Sequence, residues 1–577
     1  MRNLITIFLI CNSITKSENY NLPTDFPEIT VHYNNDSDSS NIFISTYTVS
    51  NPVENNYIII LNHLGETIFF RKNEGIVFDF KVQPNNLLSF ISIGNNSENI
   101  VYIMDHTYSM VDTISLDNYS LDYHDFQILD NGNYLTLAKS YRILDLSQEF
   151  EGGSPAALVE DYIILELDQN NNIVFEWNTS DHFNINDAPH LDITSQYIYY
   201  AHANSIEVDY DGNILLSSRH MDEITKINRQ TGEIIWRLGG SNNQFTFLND
   251  TMDFYHSIPV PFCYQHDARR LENGNITLFD NGNWKNPYFS RAVEYEIDEV
   301  NKTATRIWEY RDSSLVYSEW MGNAQRLENG NTISIWNTFD STTSIIQANS
   351  NSEKTFELSL NNIFNPNYDK LGIWSYRAFR FAWEGSADRP YLWSDTTQNN
   401  IFSLNFSQFG VNNIVKYYIY QGFNEGTMIK IDSTENNYYT IPITDIEQNN
   451  IFQISSIDID GIESPKSNAV SFVTSGLEIE KSVLPSNVIL NQNYPNPFNP
   501  ISKIQYNLPK KDFVSITIYD VIGRHIKTLV ATEKDPGLHS IHWDATNNVG
   551  QSVSAGVYLY SIQAGDFRQT KKMILLK

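Results

Sequence analysis

Short runs of alternating apolar and polar residues recur along most of the chain and predict strands rather than helices. Typical runs are Tyr57–Leu61 and Thr67–Phe70, then Ile100–Met104 and Val111–Ile114, and polar turns separate the members of each pair. A period of two residues places successive side chains on opposite faces of a sheet. No long stretch of the sequence has a convincing helical period. We therefore predict an all-β protein.

Four later segments repeat a fuller pattern, in which a strand is followed by an Asn-Gly or Asp-Gly turn. The turn glycines are Gly132, Gly212, Gly274 and Gly330. Asn-Gly and Asp-Gly tolerate the positive φ angles of tight hairpins. In each segment an outer pair of strands follows and ends in an aromatic strand such as Ile234–Trp236. The repeat therefore contains four strands.

Four-stranded repeats with a period of about 40 to 80 residues indicate a β-propeller, in which each repeat is one blade. The two early strand pairs resemble the outer halves of two further blades. Together they give a six-bladed propeller over residues 21–385, although five or seven blades are also compatible with the sequence. Residues 374–381 are a candidate for the strand that closes the ring.

The remainder of the chain predicts two small β-sandwich domains. Strands within residues 386–475, such as Val415–Tyr420 and Phe452–Ile457, suit a fibronectin type III-like domain. A linker at residues 475–487 leads to a tail at residues 488–577. In the tail, the Asn493–Pro500 segment, the Ile516–Gly523 strand and the closing Lys571–Ile574 run resemble the C-terminal sorting domain of bacterial type IX secretion cargo. That resemblance implies export through the type IX secretion machinery.

The first residues have the pattern of a secretory signal peptide. Arg2 precedes the apolar run Leu4–Ile10, and small polar residues follow up to Ser17, which gives a predicted signal peptide at residues 1–17. This run is too short to span a bilayer as a helix, and we expect no integral membrane segment. After its removal Cys263 would be the only cysteine, so we predict no internal disulfide. The expected location is outside the cell or on its surface, reached through the periplasm.

The charge of the chain excludes one class of partner. The formal net charge is −31, and no basic tract could neutralise phosphates, so we expect no nucleic-acid binding. An excess of acidic residues suits the solubility of a secreted protein. A small anionic substrate would then require a local pocket of positive charge.

Histidines recur at similar points of the repeat. His124 and His266 each lie eight residues before the turn glycine, and His202 lies ten before its own. Innermost strands line the central channel of a propeller, so we expect these side chains to converge on one pocket. Gly322 stands at the same offset in the last repeat, so the repeat does not itself demand a histidine.

Arg219 follows the turn of the repeat that carries His202. We expect it on the strand beside His202, where its guanidinium could hold two oxygens of a sulfate or phosphate. Strand alternation predicts that His220 points away from the pocket. Asn204 is expected to brace the channel strand and is also a candidate substrate contact. Asp125 and Asp267, each following a histidine, are predicted to orient backbone or turn groups.

Several phrases resemble the bacterial arylsulfate sulfotransferases. The phrases are His202–Ile206, Ser217–Arg219, Thr231–Gly240, Gln265–Ala268, Asn273–Asn275 and Phe279–Gly282. Members of that family are six-bladed propellers that move a sulfuryl group between phenols without the nucleotide sulfate donor. The resemblance implies an aryl sulfate donor, a phenolic acceptor and no cofactor.

The resemblance also implies roles for individual residues. His266 matches the nucleophile, which forms a transient sulfohistidine. His202 and Arg219 match residues that hold the sulfuryl oxygens. His124 matches the remaining pocket histidine, a candidate to protonate the leaving phenolate and to deprotonate the acceptor.

Two other functions stay open at this point. Three histidines on one channel could ligate zinc with a water in the open position, although a neighbouring guanidinium suits an anion better. The second open function is binding without catalysis, in which the propeller binds glycan or protein at the cell surface. It stays open because a fold alone does not decide function.

Overall fold

The protein was analysed as a computed structural model. It describes residues 22–48, 56–94, 98–116, 118–250, 253–255, 258–312, 317–338, 343–361, 372–397, 401–446, 450–472, 488–490, 493, 496, 498, 500, 502–534, 537–548, 551–565 and 567–576. The predicted signal peptide and the linker at residues 475–487 lie outside these ranges.

Strands make up most of the described chain, which confirms the all-β prediction. Helical structure in the described ranges consists of the single-turn α-helix Thr179–His182 and short 3₁₀ segments. The 3₁₀ segments are Leu146–Gln148, Ile185–Asp187, Arg219–Met221, Glu425–Thr427 and Ile443–Asp445. None of the described helices has the length and apolar character that a membrane crossing would require.

The region between residues 28 and 381 contains sheets of four or five strands, which we call sheets I to VI. The strands of each sheet are named in the order in which they pair, and the first one named is called the inner strand. Sheet I contains Ile373–Phe381, Asn41–Thr48, Tyr57–Leu61 and Thr67–Lys72. Sheet II contains Ile76–Val82, Leu88–Ile93, Asn99–Met104 and Met110–Ile114. Sheet III contains Ser120–Ile128, Tyr134–Leu144, Ala157–Leu167 and Ile173–Asn178, and Tyr197–Ile198 pairs in parallel with its third strand.

The other sheets follow the same plan. Sheet IV contains Ala203–Val208, Ile214–Ser218, Glu223–Ile227 and Ile234–Gly239. Sheet V contains His266–Arg270, Ile276–Asp280, Arg291–Asp298, Thr303–Tyr310 and Thr246–Leu248. Sheet VI contains Ala324–Arg326, Thr332–Asn337, Thr343–Ala348, Lys354–Asn361 and Glu28–Asn34. A separate hairpin joins Asp253–Tyr255 to Ile258–Val260.

The two ends of this region complete each other's sheets. The late strand Ile373–Phe381 pairs with Asn41–Thr48, with Ala378 opposite Ile44. The early strand Glu28–Asn34 pairs with Lys354–Asn361. Residues 374–381 therefore supply the inner strand of sheet I, as the sequence predicted. The early pairs at residues 57–70 and 100–114 are outer strands of sheets I and II, also as predicted.

Contacts between sheets follow a closed circuit. The inner strands of sheets I and II are in contact, as are those of II and III, III and IV, IV and V, and V and VI. The second strand of sheet VI then contacts the inner strand of sheet I. Apolar side chains fill the spaces between neighbouring sheets; for example, Leu137 and Leu216 share one buried cluster, and Leu215 and Leu278 share the next.

Inner strands of five sheets contain a register shift. The shifts lie between Phe78 and Lys81, within residues 122–125, at Asn204, between His266 and Arg269, and at residues 376–377. A bulge turns neighbouring side chains away from strict alternation. Each bulge therefore directs consecutive side chains into different surroundings.

Charged residues at these bulges form a buried ion network that joins inner strands. Lys81 Nζ lies 2.7 Å from both Asp79 Oδ2 and Asp125 Oδ1, and Arg377 Nη1 lies 2.7 Å from Asp79 Oδ1. Arg269 Nη2 lies 2.6 Å from Asp125 Oδ2 and 2.7 Å from Asp267 Oδ1. Asp125 and Asp267 thus neutralise buried cations, which is a structural role. Removing one partner of such a network leaves a buried charge and costs about 3 to 5 kcal/mol of stability.

Residues 391–471 form a three-stranded and a four-stranded sheet. The first contains Tyr391–Thr397, Ile401–Ser407 and Tyr438–Pro442. The second contains Ile429–Thr434, Ile414–Gly422, Ile451–Asp458 and Val470–Ser471. This division fits a small sandwich, and its fibronectin type III-like identity stays a prediction.

The tail also contains two sheets. The first contains Ile489–Leu490, Ser502–Leu508 and Gly537–Trp543. The second contains His525–Lys534, Asp512–Asp520, Gly556–Ala564 and Phe567–Leu575. Ile504 and Trp543 of the first sheet share a buried cluster with Ile516 and Tyr560 of the second, so the tail is a β-sandwich with its core between the sheets.

Candidate functional site

A cavity of about 780 Å³ opens near the start of the inner strands of sheets IV and V. Its wall is rich in aromatic side chains. These are Tyr197, Tyr199, Tyr264, Trp284, Tyr288, Tyr317 and Trp320. Arg219 and His220 also line it. An aromatic wall with one guanidinium suits a ligand that combines an aryl group with an anionic group.

His266 is the first residue of the inner strand of sheet V and is buried. Its Nδ1 lies 2.7 Å from Asn281 Oδ1 and 3.1 Å from the Tyr264 carbonyl oxygen. Asn281 uses its Nδ2 to donate to the carbonyl oxygens of Ser318 and Met321, both at 2.8 Å. Its Oδ1 must therefore accept, so Nδ1 of His266 carries the proton and Nε2 keeps its lone pair.

Burial, and then the positive charge of Arg219, lower the pKa of His266 well below its usual value, despite the opposing hydrogen bond to Asn281. The imidazole is thus neutral at ordinary working pH. A neutral ring with a free Nε2 is the form of histidine that can act as a nucleophile.

Arg219 and His220 are positioned by the end of a strand. The strand Ile214–Ser218 stops one residue earlier, and a 3₁₀ turn begins at Arg219. Arg219 Nη1 donates to His220 Nε2 at 2.7 Å, and His220 Nδ1 donates to the Tyr199 carbonyl oxygen at 2.7 Å. The prediction that His220 points away from the pocket was wrong, because strand alternation no longer applies within the turn.

The groups that the guanidinium of Arg219 contacts directly are uncharged. Besides His220, it donates to the Glu319 carbonyl oxygen at 3.3 Å and lies 4.1 Å from the centre of the Tyr264 ring. Burial lowers the pKa of Arg219, but a guanidinium remains charged. Its charge is therefore available to an anion in the cavity.

His202 reaches the other histidines from the residue before the inner strand of sheet IV. Its ring centre lies 5.0 Å from that of His124 and 4.6 Å from that of His220. Counted from the turn, Asn204 and not His202 stands at the offset of His124 and His266. A positive φ of 48° turns the chain at His202. Burial, then His220 and His124, lower the pKa of His202 well below its usual value.

His124 lies in the bulged part of the inner strand of sheet III and is held by a carboxylate. Its Nδ1 lies 2.6 Å from Asp122 Oδ1. Burial opposes ionisation of Asp122, but His124 and Lys139 lower its pKa to about 2. A charged carboxylate stabilises a proton on Nδ1 and leaves Nε2 of His124 for proton transfer.

Tyr376 connects the histidines across the site. Its ring centre lies 5.6 Å from that of His124 and 6.4 Å from that of His266. The structure thus brings together the four predicted catalytic candidates, with His220, Asp122, Asn281 and Tyr376 as additional members.

Asn204 is buried and lies within the inner strand of sheet IV. Its Nδ2 donates to the Gln265 carbonyl oxygen at 2.7 Å, and its own carbonyl oxygen accepts from Arg377 and Tyr376. These bonds favour the bracing role expected for this residue. Its contact with substrate stays a prediction.

Two further features of the site concern a thiol and metal binding. Burial raises the pKa of the Cys263 thiol well above its usual value, so the thiol is inert and packs as an apolar group. Within the described ranges, no group of three or more His, Cys, Asp or Glu side chains is arranged to hold a metal ion.

Comparison with known proteins decides the family. The family model for the arylsulfotransferases (ASST) matches residues 30–368, more than half of the 577-residue chain. The chain belongs to the arylsulfotransferase family. The matched region of the chain holds the histidines and Arg219. A second model, the FlgD Ig-like domain, matches residues 501–566 in the tail.

Individual relatives match shorter parts of the chain. An arylsulfate sulfotransferase from Escherichia coli is 31% identical over 19% of this chain and 23% of its own length. One from Lelliottia amnigena is 33% identical over the same shares. The chain thus matches less than a quarter of the length of these relatives. A structure of a protein of unknown function from Bacteroides caccae covers 60% of this chain and 99% of its own, at 10% identity and a TM-score of 0.35, a score too low to carry an argument.

Proposed function

We propose that this arylsulfotransferase transfers a sulfuryl group from an aryl sulfate to an acceptor phenol through a sulfohistidine at His266. The observation that carries the proposal is the geometry of His266. Nδ1–H donates to the Asn281 Oδ1 and to the Tyr264 carbonyl oxygen, the pKa of the ring is lowered, and Nε2 keeps its lone pair as a neutral nucleophile.

In the first half-reaction, the Nε2 lone pair of His266 attacks the donor's sulfur. A nitrogen–sulfur bond forms as the bond between sulfur and the aryl oxygen breaks, and the aryl oxygen leaves with the electron pair. Nε2 of His124 supplies a proton to that oxygen, while Asp122 holds the proton on Nδ1. The products are a free phenol and sulfohistidine.

The second half-reaction reverses these steps with an acceptor. Nε2 of His124 takes the proton of the acceptor phenol, and the phenolate oxygen attacks the sulfur. The nitrogen–sulfur bond breaks, and its electron pair returns to Nε2 of His266. Both the proton and the sulfuryl group are conserved over the cycle.

Arg219 and His202 hold the sulfuryl oxygens in this scheme. Preorganised donors stabilise charge that develops on oxygen during transfer, which is commonly the largest catalytic term. Arg219 is suited to this because its protein partners are neutral and its orientation is fixed by His220, Glu319 and Tyr264. The aromatic wall then receives the aryl groups of donor and acceptor.

For the fold, we propose a six-bladed propeller in which sheets I to VI are the blades. The closed circuit of contacts between sheets supports this arrangement. Completion of sheet I by Ile373–Phe381 and of sheet VI by Glu28–Asn34 supports it too, because propellers commonly join their ends in this way. We also propose secretion by the type IX route, based on the sequence patterns of the tail.

Full-length protein tests the proposed reaction. Release of p-nitrophenol from p-nitrophenyl sulfate should depend on an added acceptor phenol, with parallel double-reciprocal plots because the two substrates react in separate steps. An amount of p-nitrophenol close to one per protein should appear as a burst when no acceptor is present. Protein that is inert with a range of donors and acceptors would instead favour the surface-binding propeller.

The pH dependence of that burst tests the state of His266. In the native protein the burst rate should stay level from about pH 8 to about pH 5.5, because the ring remains neutral below the ordinary histidine pKa. p-Nitrophenolate is a good leaving group, so the burst does not depend on proton donation. In Asn281→Asp, the added carboxylate should raise the pKa of His266 and make the burst rate fall as the pH is lowered.

Asn273→Asp is the matched control, since it adds the same charge at the turn of sheet V, away from the histidine. Its profile should follow that of the native protein. A burst in the native protein that declines through about pH 6.5 would contradict a lowered His266 pKa.

A further inference from the structure

Two strands of sheet III extend beyond the length of their counterparts in sheet IV. Tyr134–Leu144 and Ala157–Leu167 each contain 11 residues, whereas Ile214–Ser218 and Glu223–Ile227 each contain 5. They stay paired along their full length, with Ile143 opposite Leu158. The extension is therefore a rigid sheet and not a loose loop.

One face of this extension is apolar and exposed. Ile143 is 72% exposed, Leu158 39% and Tyr197 40%. Ile143 is paired with Leu158, and Leu158 is paired with Tyr197, and residues directly opposite one another in a sheet share a face. Tyr141 is also exposed and is paired with Glu160, to which the Tyr197 hydroxyl donates. We call Tyr141, Ile143, Leu158, Tyr197 and Tyr199 the rim face.

The rim face is continuous with the cavity. Tyr197 and Tyr199 belong both to the rim face and to the cavity wall, and their ring centres are 5.4 Å apart. The Tyr199 ring lies 4.6 Å from that of His220 and 6.0 Å from that of His202. An apolar path therefore leads from the sulfate-binding residues to the outside.

The charges along this path limit what can occupy it. Arg219 is the one Lys or Arg among the residues that line the described cavity, and Asp192 and Glu319 add carboxylates. A second anionic group on a ligand would therefore be repelled, while the exposed apolar side chains favour burial against an apolar ligand.

We propose that the rim face binds the distal part of extended aryl substrates, with at least two rings and no charge other than the transferred sulfate. This inference rests on the proposed function, since it names the substrate class of the same site. The first ring lies within the aromatic wall beside Arg219, and the second covers Tyr197, Leu158 and Ile143. Stacking and area burial by one additional ring correspond to about a tenfold gain in affinity.

Calorimetry and kinetics with a matched pair of ligands test the proposal on the full-length chain. In the His266→Asn background, which cannot take up the sulfuryl group, 4-phenylphenyl sulfate should bind about tenfold more tightly than phenyl sulfate. In the double variant Ile143→Thr/Leu158→Thr, most of that advantage should be lost while phenyl sulfate binds as before. The acceptors 4-phenylphenol and phenol should show the same pattern in kcat/KM, and 4′-hydroxybiphenyl-4-carboxylate should be a poor acceptor.

A control variant, Ile173→Thr/Val174→Thr, removes two exposed apolar side chains from the outer strand of the same sheet. It should keep the preference for the larger ligand. Equal losses for both ligands in the rim variant, or no loss for either, would overturn the proposal. So would sedimentation showing that native protein is a dimer and the rim variant a monomer, because the rim face would then bind a second copy.

Binding and turnover separate this inference from the function on which it rests. Preferential binding of 4-phenylphenyl sulfate without any turnover would support the rim face and reject the sulfotransferase. Turnover of both ligands without preference for the larger one would support the sulfotransferase and reject the rim face as a binding site.

Discussion

The His266→Asn variant is expected to lose sulfuryl transfer by a factor on the order of 10⁴ or more in kcat/KM. The asparagine amide can still donate to Asn281 Oδ1, as Nδ1 does now at 2.7 Å, so the local hydrogen bonding is kept. What the variant lacks is Nε2, the atom that attacks sulfur. The measurement is p-nitrophenol release from p-nitrophenyl sulfate with excess phenol.

His525→Asn is the control for this variant, because His525 is an exposed residue of the tail sheet. It should retain native activity. Without acceptor, the burst of p-nitrophenol should be absent in His266→Asn and present in His525→Asn. A His266→Asn protein that folds and keeps more than a small fraction of native turnover would remove His266 as the nucleophile.

Replacing Arg219 by lysine is expected to lower kcat/KM by about 10²- to 10³-fold. Lysine keeps the charge but cannot bond His220 Nε2 and the Glu319 carbonyl oxygen while also presenting a fork to sulfate. The loss should be larger in kcat than in donor affinity, since the fixed fork orients the sulfuryl group for attack by His266. Steady-state kinetics with p-nitrophenyl sulfate separate the two.

Arg229→Lys is the control for this variant, because it makes the same substitution outside the site. Arg229 is paired with Glu166 at the turn side of sheet IV. We expect native kinetics from it. If Arg219→Lys also behaves as native, the sulfuryl oxygens are not held by a guanidinium fork.

Much of the fold follows from the sequence because its signals are local. Alternation predicted strands such as Tyr57–Leu61, and Asn-Gly or Asp-Gly marked the inner hairpins. The inner strand of sheet I was also predictable, since residues 374–381 continue the pattern after the last repeat. The family was predictable because the phrases around His202, Arg219 and His266 are distinctive.

The failure at His220 has a physical cause, which is that the second strand of sheet IV ends early. A regular strand would direct His220 away from Arg219, but the strand ends at Ser218 and the turn brings both side chains into the site. His202 lies ten residues before its turn glycine and still reaches the other histidines, because it precedes its strand and the chain turns there. No local pattern reports a bulge.

Partners from distant segments were missed for a different reason. Asn281 fixes the tautomer of His266 only because Ser318 and Met321 fix Asn281. Asn281 belongs to the Phe279–Gly282 phrase that resembles the family, but the sequence alone assigned it no function. The aromatic wall comes largely from connections between strands, whose sequences do not repeat.

The most direct test of the account is to find where the sulfuryl group resides between the half-reactions. Full-length protein is mixed with excess p-nitrophenyl sulfate without acceptor, quenched in alkali and digested, and its peptides are analysed by mass spectrometry. The account predicts one added SO₃ on the imidazole of His266, which disappears when phenol is added before the quench. Acceptor-dependent turnover with no SO₃ on the protein, or with SO₃ on His124 or His202 instead, would contradict it.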